Sequence, residues 1–383
     1  KVFANYAVYY ENVPLNIADR AFGLEKSVYY RVRTAGCSPL TDPDYTKDCN
    51  DPSNLGTNPY TAGTNSPNGS YFWTAADKTV VDPNLKPMAT DELVAGAEYQ
   101  VINNGRLGVT YTQRSLLQTI EDMSVDNASS YFIGNPGYGV ASPFPRATRD
   151  YQAGTLFFDK TFSDGWMAQA SYTLSRLYGN YGGLFVEATG QLDPNSNATF
   201  DLVSLLANQT GFLPADRTHQ LKLFGAKAFQ LDARQAISLG LSYNGSSGTP
   251  INYLAAHPIY GPDEAYVLPR GVGGRTPWVH RFDSRVSYDV KLTETNTLSL
   301  GVDVFNLFNF QQTTSVDETY TSATILPLPN GTVAQLDKQV KEGSITDQDQ
   351  GAPFTADGIN PNFKNASSYQ TPRNVRFGLR VTF

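Results

Sequence analysis

Two pairs of residues carry the side chains that acid–base catalysis uses. Asp216 precedes His219 by three positions, and His280 precedes Asp283 by the same spacing. A carboxylate that orients an imidazole can serve a hydrolytic site, but such a site also needs a nucleophile and a group that stabilises the oxyanion. The residues around both pairs supply neither feature. We therefore predict no catalytic residues and a protein that is not an enzyme.

The stretch between residues 37 and 51 contains the other candidate sites. A disulfide between Cys37 and Cys49 would close a short loop and stabilise the protein by roughly 3 kcal/mol. Two free thiols are the alternative. Four acidic residues of the same stretch have the oxygen ligands that Ca²⁺ prefers, although not at EF-hand spacing: Asp42, Asp44, Asp48 and Asp51. A solvated acidic loop explains these four better, so we predict the disulfide but neither a metal nor a cofactor.

Composition limits the class of protein. Charged residues make up 17% of the 383 residues, below the usual fraction of about 25%, and the net charge is −7. An acidic chain without a basic stripe is unsuited to nucleic acid, because phosphates have to be neutralised. No apolar run approaches the roughly 18–20 residues that a membrane-spanning helix needs. The sequence thus excludes an α-helical membrane protein.

Alternation of apolar and polar residues with a period of two dominates the chain and indicates β-strands. In residues 93–101 the odd positions are apolar, and Asn103-Asn104-Gly105 then predicts a tight hairpin turn. The pattern recurs along the chain. It predicts about ten strands, at residues 1–12, 90–102, 105–117, 148–160, 165–178, 216–230, 235–246, 278–292, 295–308 and 371–383.

Connections between these strands alternate between short turns and long polar stretches. The long ones cover residues 14–89, 119–147, 179–215, 247–277 and 310–370. Structureless loops above about 15 residues are uncommon in compact soluble domains, whereas outer-membrane barrels combine short periplasmic turns with long external loops. We therefore predict an all-β transmembrane antiparallel β-barrel, with an additional hairpin from residue 26 in the first loop. A soluble sandwich or propeller shows the same alternation but fits the loop lengths less well.

Motifs near the C-terminus are more specific. Residues 369–373 (YQTPR) and 376–383 (RFGLRVTF) resemble the closing strand of TonB-dependent outer-membrane receptors, and residues 303–309 (DVFNLFN) resemble the N-L-F-N motif of the preceding strand. Residues 274–277 (GRTP) and 281–283 (RFD) are similar to the pattern before the third-last strand. Further segments resemble the Oar-like branch, which is OmpA-related and contains a carboxypeptidase regulatory domain: residues 111–114, 120–122, 170–181, 216–222 and 248–252.

This resemblance implies a 22-stranded barrel with an N-terminal plug and a TonB box. We interpret residues 1–383 as the C-terminal portion of such a barrel, without plug or N-terminal domains; ten strands that close on themselves are the alternative. The implied function is transport of a large substrate across the outer membrane of a Gram-negative bacterium, through capture by external loops and TonB-driven displacement of the plug. A ten-stranded barrel enzyme of the protease type and a surface adhesin or structural barrel are the alternatives.

The resemblance also implies partners, namely a TonB-type energy-transducing complex that acts through an N-terminal segment, outer-membrane lipids with lipopolysaccharide, and the barrel-insertion machinery. The substrate stays unidentified. We expect the insertion machinery to recognise a terminal apolar stripe, which comprises Val375, Phe377, Leu379, Val381 and Phe383. We expect six charged side chains to face the lumen: Arg281, Asp283, Arg285, Asp289, Arg376 and Arg380. Aromatic girdles at the two membrane interfaces are predicted to include Trp166, Tyr172, Tyr288 and Phe383.

Overall fold

A single antiparallel sheet forms the centre of the computed structural model. The structure describes residues 1–11, 79–128, 130–185 and 197–383, together with Ile17 and two short strands. Ten strands follow one another across the sheet in chain order: β1 (Val2–Tyr10), β2 (Ala89–Ile102), β3 (Gly105–Gln118), β4 (Arg149–Ser163), β5 (Trp166–Gly179), β6 (His219–Gln230), β7 (Gln235–Ser246), β8 (Val279–Lys291), β9 (Thr297–Phe305) and β10 (Asn374–Thr382). Each of them overlaps one of the strands predicted from the sequence, so those strand positions are confirmed.

The strand register separates the side chains into two faces. Residues that are directly paired in an antiparallel ladder point to the same side of the sheet. Leu107 pairs with Tyr99 and Phe158 on one face, whereas Arg106 pairs with Gln100 and Asp159 on the other. A charge on a lipid-facing strand costs about 2–4 kcal/mol at the bilayer midplane. The apolar face is therefore the one that suits lipid, and the polar face, here called the polar wall, suits the lumen.

The predicted face of residues 93–99 is confirmed by this register. Ala95 and Ala97 pair with Tyr111 and Val109 on the apolar face. The alternation ends at Val101, because the register shifts between Gln100 and Ile102. The shared face thus holds along the strand and is lost only beside the turn.

Tight turns join the strands at one end of the sheet. Asp164 and Gly165 between β4 and β5 both have positive φ angles, 53° and 78°, which suits the sharp reversal of a short hairpin. Asn104, in the predicted turn before β3, has a φ of 55°. The outermost strands β1 and β10 each pair with one neighbour among the described residues. Lipid cannot hydrogen-bond free strand edges, so we expect further strands to close the barrel. The total of 22 strands stays a prediction.

The long connections pack into two lobes at the other end of the sheet. The first lobe surrounds a core made of Ile17, Met88, Ile120, Met123, Ile133, Ala141, Phe144, Ala147, Tyr181 and Phe200. The core of the second lobe contains Tyr253, Ala255, Val267, Leu268, Tyr320, Ile325, Leu336, Val340 and Phe354. The second lobe includes helix α1 (Val333–Glu342), and none of the helices in the described part of the chain is long and apolar enough to cross a membrane.

Ordered strands also occur within the loops that the sequence left without elements. The predicted hairpin in the first loop is present, as the strand Lys26–Tyr30 pairs with Tyr71–Ala75. A second hairpin joins Leu254–His257 to Gly261–Tyr266. In the last loop Thr313–Val316 pairs with Ala366–Tyr369. The described parts of the long polar stretches are therefore folded, and they pack at the ends of the strands.

Candidate functional site: the polar wall and its external cap

Lateral rows of side chains cross the polar wall, because the register aligns every strand with the next. One row crosses seven strands and contains Gln100, Arg106, Asp159, Gln169, Phe224, Ser242 and Asp283. The row nearer the lobes contains Glu98, Gly108, Phe157, Ser171, Lys222, Asn244 and Arg281. The next row has no charge and contains Gly96, Thr110, Thr155, Thr173, Gln220 and Ser246. The wall thus offers charged groups and aromatic rings in two adjacent rows.

Ion pairs hold the charges of the wall in place. Arg106 lies 3.2 Å from Glu98 and 3.0 Å from Asp159, so it bridges β2 and β4. At the other side of the sheet, Asp303 accepts from Arg285 at 3.2 Å and from Arg376 at 2.9 Å. These bridges immobilise guanidinium groups that could otherwise bind a passing anion.

The six charges predicted to face the lumen all lie on the polar wall. Arg281 is paired with Asp283 at 2.9 Å, and Asp289 and Arg380 flank Ser299 in one row. Sequence reasoning missed Asp303, which connects two of the six. The alternation placed it on this face, but its two arginine partners are 18 and 73 residues away.

A cavity of about 880 Å³ lies where the polar wall meets the first lobe. Glu92 and Arg114 form an ion pair at its floor, and the Tyr9 hydroxyl donates to the same carboxylate at 3.5 Å. Arg149 donates to the carbonyl of Gly182. These polar groups and the aromatic rings around them can contact a polar ligand that enters from the lobe side.

Four of the motif segments meet at the rim, where the strands give way to the lobes. The Asp216 carboxylate accepts from Arg275 at 2.5 Å and from the backbone N–H of Leu177 at 2.5 Å. Arg275 also donates to the carbonyl of Gly248 at 3.0 Å. This set, here called the rim lock, joins the ends of β5, β6, β7 and β8. These contacts therefore fix the loop segments relative to the ends of the strands.

Asn306 of the N-L-F-N motif joins three of the motifs near the C-terminus in the same way. Its backbone N–H donates to Asp283 at 2.8 Å, and its side-chain amide donates to the carbonyls of Phe310 at 2.8 Å and Thr371 at 2.9 Å. The R-F-D, N-L-F-N and T-P-R segments are thus one hydrogen-bonded unit at the rim of the last three strands.

Neither of the two His–Asp pairs considered in the sequence forms in the structure. His219 Nδ1 is hydrogen-bonded to the Tyr172 hydroxyl at 2.8 Å, and His280 Nδ1 to the Tyr243 hydroxyl at 2.8 Å. His280 also lies on the apolar face, opposite Asp283 on the polar wall. The arrangement gives no catalytic base with its orienting carboxylate.

These two histidines belong instead to an aromatic belt on the apolar face near the lobes. The Trp278 ring is stacked between them, with centroids 5.8 Å from His219 and 5.9 Å from His280. Tyr172, one of the predicted girdle residues, stacks on His219 at 6.1 Å. Trp166, Tyr172 and Tyr288 all lie on the apolar face, as girdle residues should, since amphipathic rings favour the headgroup level.

A polar junction connects the two lobes. The Tyr131 and Tyr260 hydroxyls lie 2.6 Å apart, and the Tyr260 hydroxyl donates to Asp201 at 2.5 Å. Burial and the neighbouring carboxylate raise the pKa of Tyr260 above its ordinary value. His257 Nε2 is 3.0 Å from the Ser204 hydroxyl. Because side chains of one lobe bond those of the other, the lobes form a single cap over the wall.

The predicted disulfide and the predicted acidic cluster lie outside the described residues. Cys37 and Cys49 fall there, and so do Asp42, Asp44, Asp48 and Asp51. Among the described residues, no group of three or more His, Cys, Asp or Glu side chains is arranged to hold a metal ion. The disulfide therefore stays a prediction.

An antiparallel sheet with one apolar and one polar face, whose long connections pack at one end and tight turns at the other, is the architecture of the wall of an outer-membrane β-barrel. No family model matches the sequence. All of the chain aligns with the TonB-dependent transporter Oar of Myxococcus xanthus, at 49% identity over 398 residues, which make up 37% of that protein. The chain thus spans little more than a third of this curated relative. It belongs to the TonB-dependent outer-membrane receptors, in their Oar-like branch, and to the outer membrane of a Gram-negative bacterium.

Two solved structures are similar at a low level. The ferric-catecholate import receptor Fiu of E. coli K12 in its closed form has a TM-score of 0.37 and 14% identity, over 62% of this chain and 26% of Fiu. FpvA of P. aeruginosa, in a complex with pyoverdine and iron, has a TM-score of 0.38 and 12% identity, over 79% of this chain and 28% of FpvA. The assignment to the family rests on the sequence match with Oar.

Proposed function

We propose that the chain forms the polar wall and the cap of a transporter, and that this transporter moves a large substrate across the outer membrane. The observation that carries the proposal is the packed cap above a polar wall, in a chain 49% identical to a TonB-dependent transporter. The cap captures the substrate from outside. The substrate then passes along the wall when TonB, acting through a segment N-terminal to this chain, displaces a plug.

Further partners follow from the location of the sheet. The apolar face with its aromatic belt contacts outer-membrane lipids, and lipopolysaccharide meets the belt at the level of the cap. The barrel-insertion machinery places the sheet in the membrane.

The test compares three strains: wild type, a deletion of the gene, and a disruption of TonB. Mass spectrometry of the medium and of the periplasm identifies compounds whose distribution depends on the gene. Transport predicts that the same compounds change in both mutant strains while wild-type levels of the protein persist in the TonB mutant. Compounds that depend on the gene but not on TonB would contradict energy-coupled transport.

The two alternatives give different results in the same strains. A barrel enzyme predicts that purified protein cleaves peptides in the absence of TonB, although neither His–Asp pair forms in the structure. An adhesin predicts that the deletion strain loses attachment to surfaces or cells without any change in compound distribution. Either result would contradict transport and support the alternative that predicts it.

A further inference from the structure

A groove of about 600 Å³ runs along the polar wall, away from the cavity beneath the first lobe. Strands β3 to β8 provide its lining, which includes Phe157, Phe224, Lys222, Asn244 and Arg281. All five residues belong to the two adjacent rows of the wall that carry charge. The groove therefore combines aromatic rings and cations within a few side chains of one another.

The rings of the groove lie against the sheet on the polar wall. Phe157 lies across Gly108 of the neighbouring strand, so closely that a Cβ at residue 108 would collide with the ring. Phe224 is 39% exposed on the polar wall. Apolar rings left in water are unfavourable by about 25 cal/mol per Å² of exposed apolar surface. A ligand with a flat apolar surface would relieve that exposure.

The cations of the groove are not fully compensated. Its lining contains three cations, Arg106, Lys222 and Arg281, against the two carboxylates of Asp159 and Asp283, so its net charge is +1. The arginines are occupied, since Arg106 pairs with Asp159 and Arg281 with Asp283. Lys222 has no ion-pair partner in the described part of the chain. Glu98 is a second partner of Arg106, so Lys222 is the cation of the groove that an anionic ligand can neutralise.

Lys222 and Arg281 lie in one row with Asn244 between them. Neighbouring strands are about 4.8 Å apart, so the two cationic residues start about 10 Å from each other across the wall. A carboxylate above Asn244 can then accept from the Lys222 ammonium and the Asn244 amide, while the Arg281 guanidinium stays paired with Asp283. Charge-assisted hydrogen bonds of this kind are about twice as strong as neutral ones.

We infer that this groove binds a carboxylate attached to a planar apolar group, with the carboxylate at Lys222 and the planar group on Phe157 and Phe224. The inference rests on the proposed function only in taking the polar wall as the lining of the transport path. It assigns to that path a preference for anionic substrates that contain rings. A neutral ring would leave Lys222 uncompensated, and a cation would be repelled by it.

Binding of two matched probes tests the site in the complete protein, purified in detergent. Naphthalene-2-carboxylate has the charge and the ring, while naphthalene-2-carboxamide has the ring alone. We expect calorimetric titration at low salt to show that the carboxylate binds about tenfold more tightly than the amide. Lys222→Gln should abolish this difference and leave amide binding unchanged, and higher salt should weaken only the carboxylate.

Lys227 provides the matched control on the same strand. It lies on the apolar face, where it pairs with Trp166 and Leu239, and its ammonium is 5.2 Å from the Phe229 ring. Lys227→Gln removes the same charge from the apolar face, so the binding of both probes should be unchanged. Phe157→Leu should weaken both probes by the same factor, because it removes the ring contact and not the charge.

The inference is overturned if the two probes bind equally to the wild-type protein, or if Lys222→Gln and Lys227→Gln have the same effect. These outcomes are independent of the transport experiment. Charge-selective binding through Lys222 in a protein without TonB-dependent transport would support the site and contradict the proposed function. TonB-dependent transport with equal binding of both probes would support the proposed function and contradict the site.

Discussion

The carboxylate of Asp216 and the guanidinium of Arg275 lie 2.5 Å apart at the rim of the barrel, in segments separated by almost sixty residues. Only 1% of the Asp216 side chain is exposed. The other carboxylate oxygen accepts the backbone N–H of Leu177 at the end of β5. One buried carboxylate thus connects the end of β5 to the segment that leads into β8.

Asp216→Asn is expected to destabilise the protein by about 3 kcal/mol. The substitution removes the negative charge and leaves the partly buried Arg275 guanidinium without its partner, which is the costly way to break a buried ion pair. The free energy of unfolding in urea, measured on protein refolded into detergent, gives the loss. Glu342→Gln is the control, because the Lys338–Glu342 pair is mostly exposed and worth less than about 0.5 kcal/mol. Equal losses for the two variants would contradict the structural role of Asp216.

The alternation predicts the strands, and it predicts their faces except in residues 148–160 and 216–230, where it fits neither register. It does not predict the rim lock. Strand faces follow from a period of two, which is local information, and a slip of one residue would turn every apolar group to the wrong side. The rim lock depends on contacts between Leu177, Asp216, Gly248 and Arg275, and no local pattern encodes those distances. The family motifs include these four positions, but they do not indicate that the four residues are in contact.

Helix α1 shows a different limit of sequence reasoning, because its signals are local and were missed. Thr332 and Gln335 form a reciprocal capping box at its start, and Gly343 ends it with a φ of 62°. The spacing of Thr332 and Gln335 is the sequence signature of such a start. The segment lies between polar stretches rich in turn residues, and this surrounding composition favours a loop.

Val109→Arg and Thr110→Arg test which face meets lipid. Val109 lies on the apolar face beside Ala97 and Leu156, while Thr110 lies on the polar wall beside Gly96 and Thr155. An arginine at residue 109 should destabilise the folded barrel by about 2–4 kcal/mol more than one at residue 110. Unfolding measurements in lipid vesicles give the difference. A larger loss for Thr110→Arg would mean that the faces are assigned the wrong way round, and equal stability would mean that this strand does not cross the membrane.

Acidification should loosen the junction of the cap at His257. Its Nδ1 accepts the backbone N–H groups of Ile259 at 3.2 Å and Tyr260 at 3.3 Å, which requires the neutral ring. Burial lowers the pKa of His257 below its ordinary value of 6.5. The neutral ring's contribution is therefore complete above about pH 6.5 and is lost as the pH falls towards the lowered pKa.

Hydrogen exchange of residues 257–260 measures this loss. Protection factors, corrected for the intrinsic effect of pH on exchange, should fall between pH 7.5 and pH 5.5 in the wild-type protein. His257→Gln cannot take up a proton, so its protection should be lower at both pH values and nearly constant between them. A variant with the same pH dependence as the wild type would assign the effect to another group.

Cys37 and Cys49 are expected to be joined in a disulfide on the outside of the cell. The oxidising compartment permits the bond, and closing a short loop contributes roughly 3 kcal/mol. Maleimide labelling of intact cells should leave both thiols unmodified until a reductant is added. Cys37→Ser should then make Cys49 reactive without reductant. Labelling of both cysteines in untreated wild-type cells would show that the thiols are free.

Deletion of Phe383 should lower the amount of assembled protein in cells several-fold while detergent refolding of the purified protein stays nearly unchanged. Phe383 is 95% exposed and follows Thr382, the last residue that pairs with β9. The other members of the terminal stripe pair with apolar residues of β9, as Phe377 does with Val302 and Leu379 with Leu300. The terminal ring is thus available to the insertion machinery, which can recognise a strand edge together with its apolar groups.

A role in the lipid girdle alone would give a different result. Loss of the Phe383 ring would then cost about 1–2 kcal/mol of apolar burial, and refolding and assembly in cells would fall together. Leu300→Ala on β9 provides the matched control, since it removes apolar surface from the same face without altering the terminal strand. If recognition is the role, the deletion reduces the outer-membrane level far more than Leu300→Ala does, although Leu300→Ala has the larger effect on refolding. Wild-type outer-membrane levels of the deletion variant would refute recognition of the terminal residue.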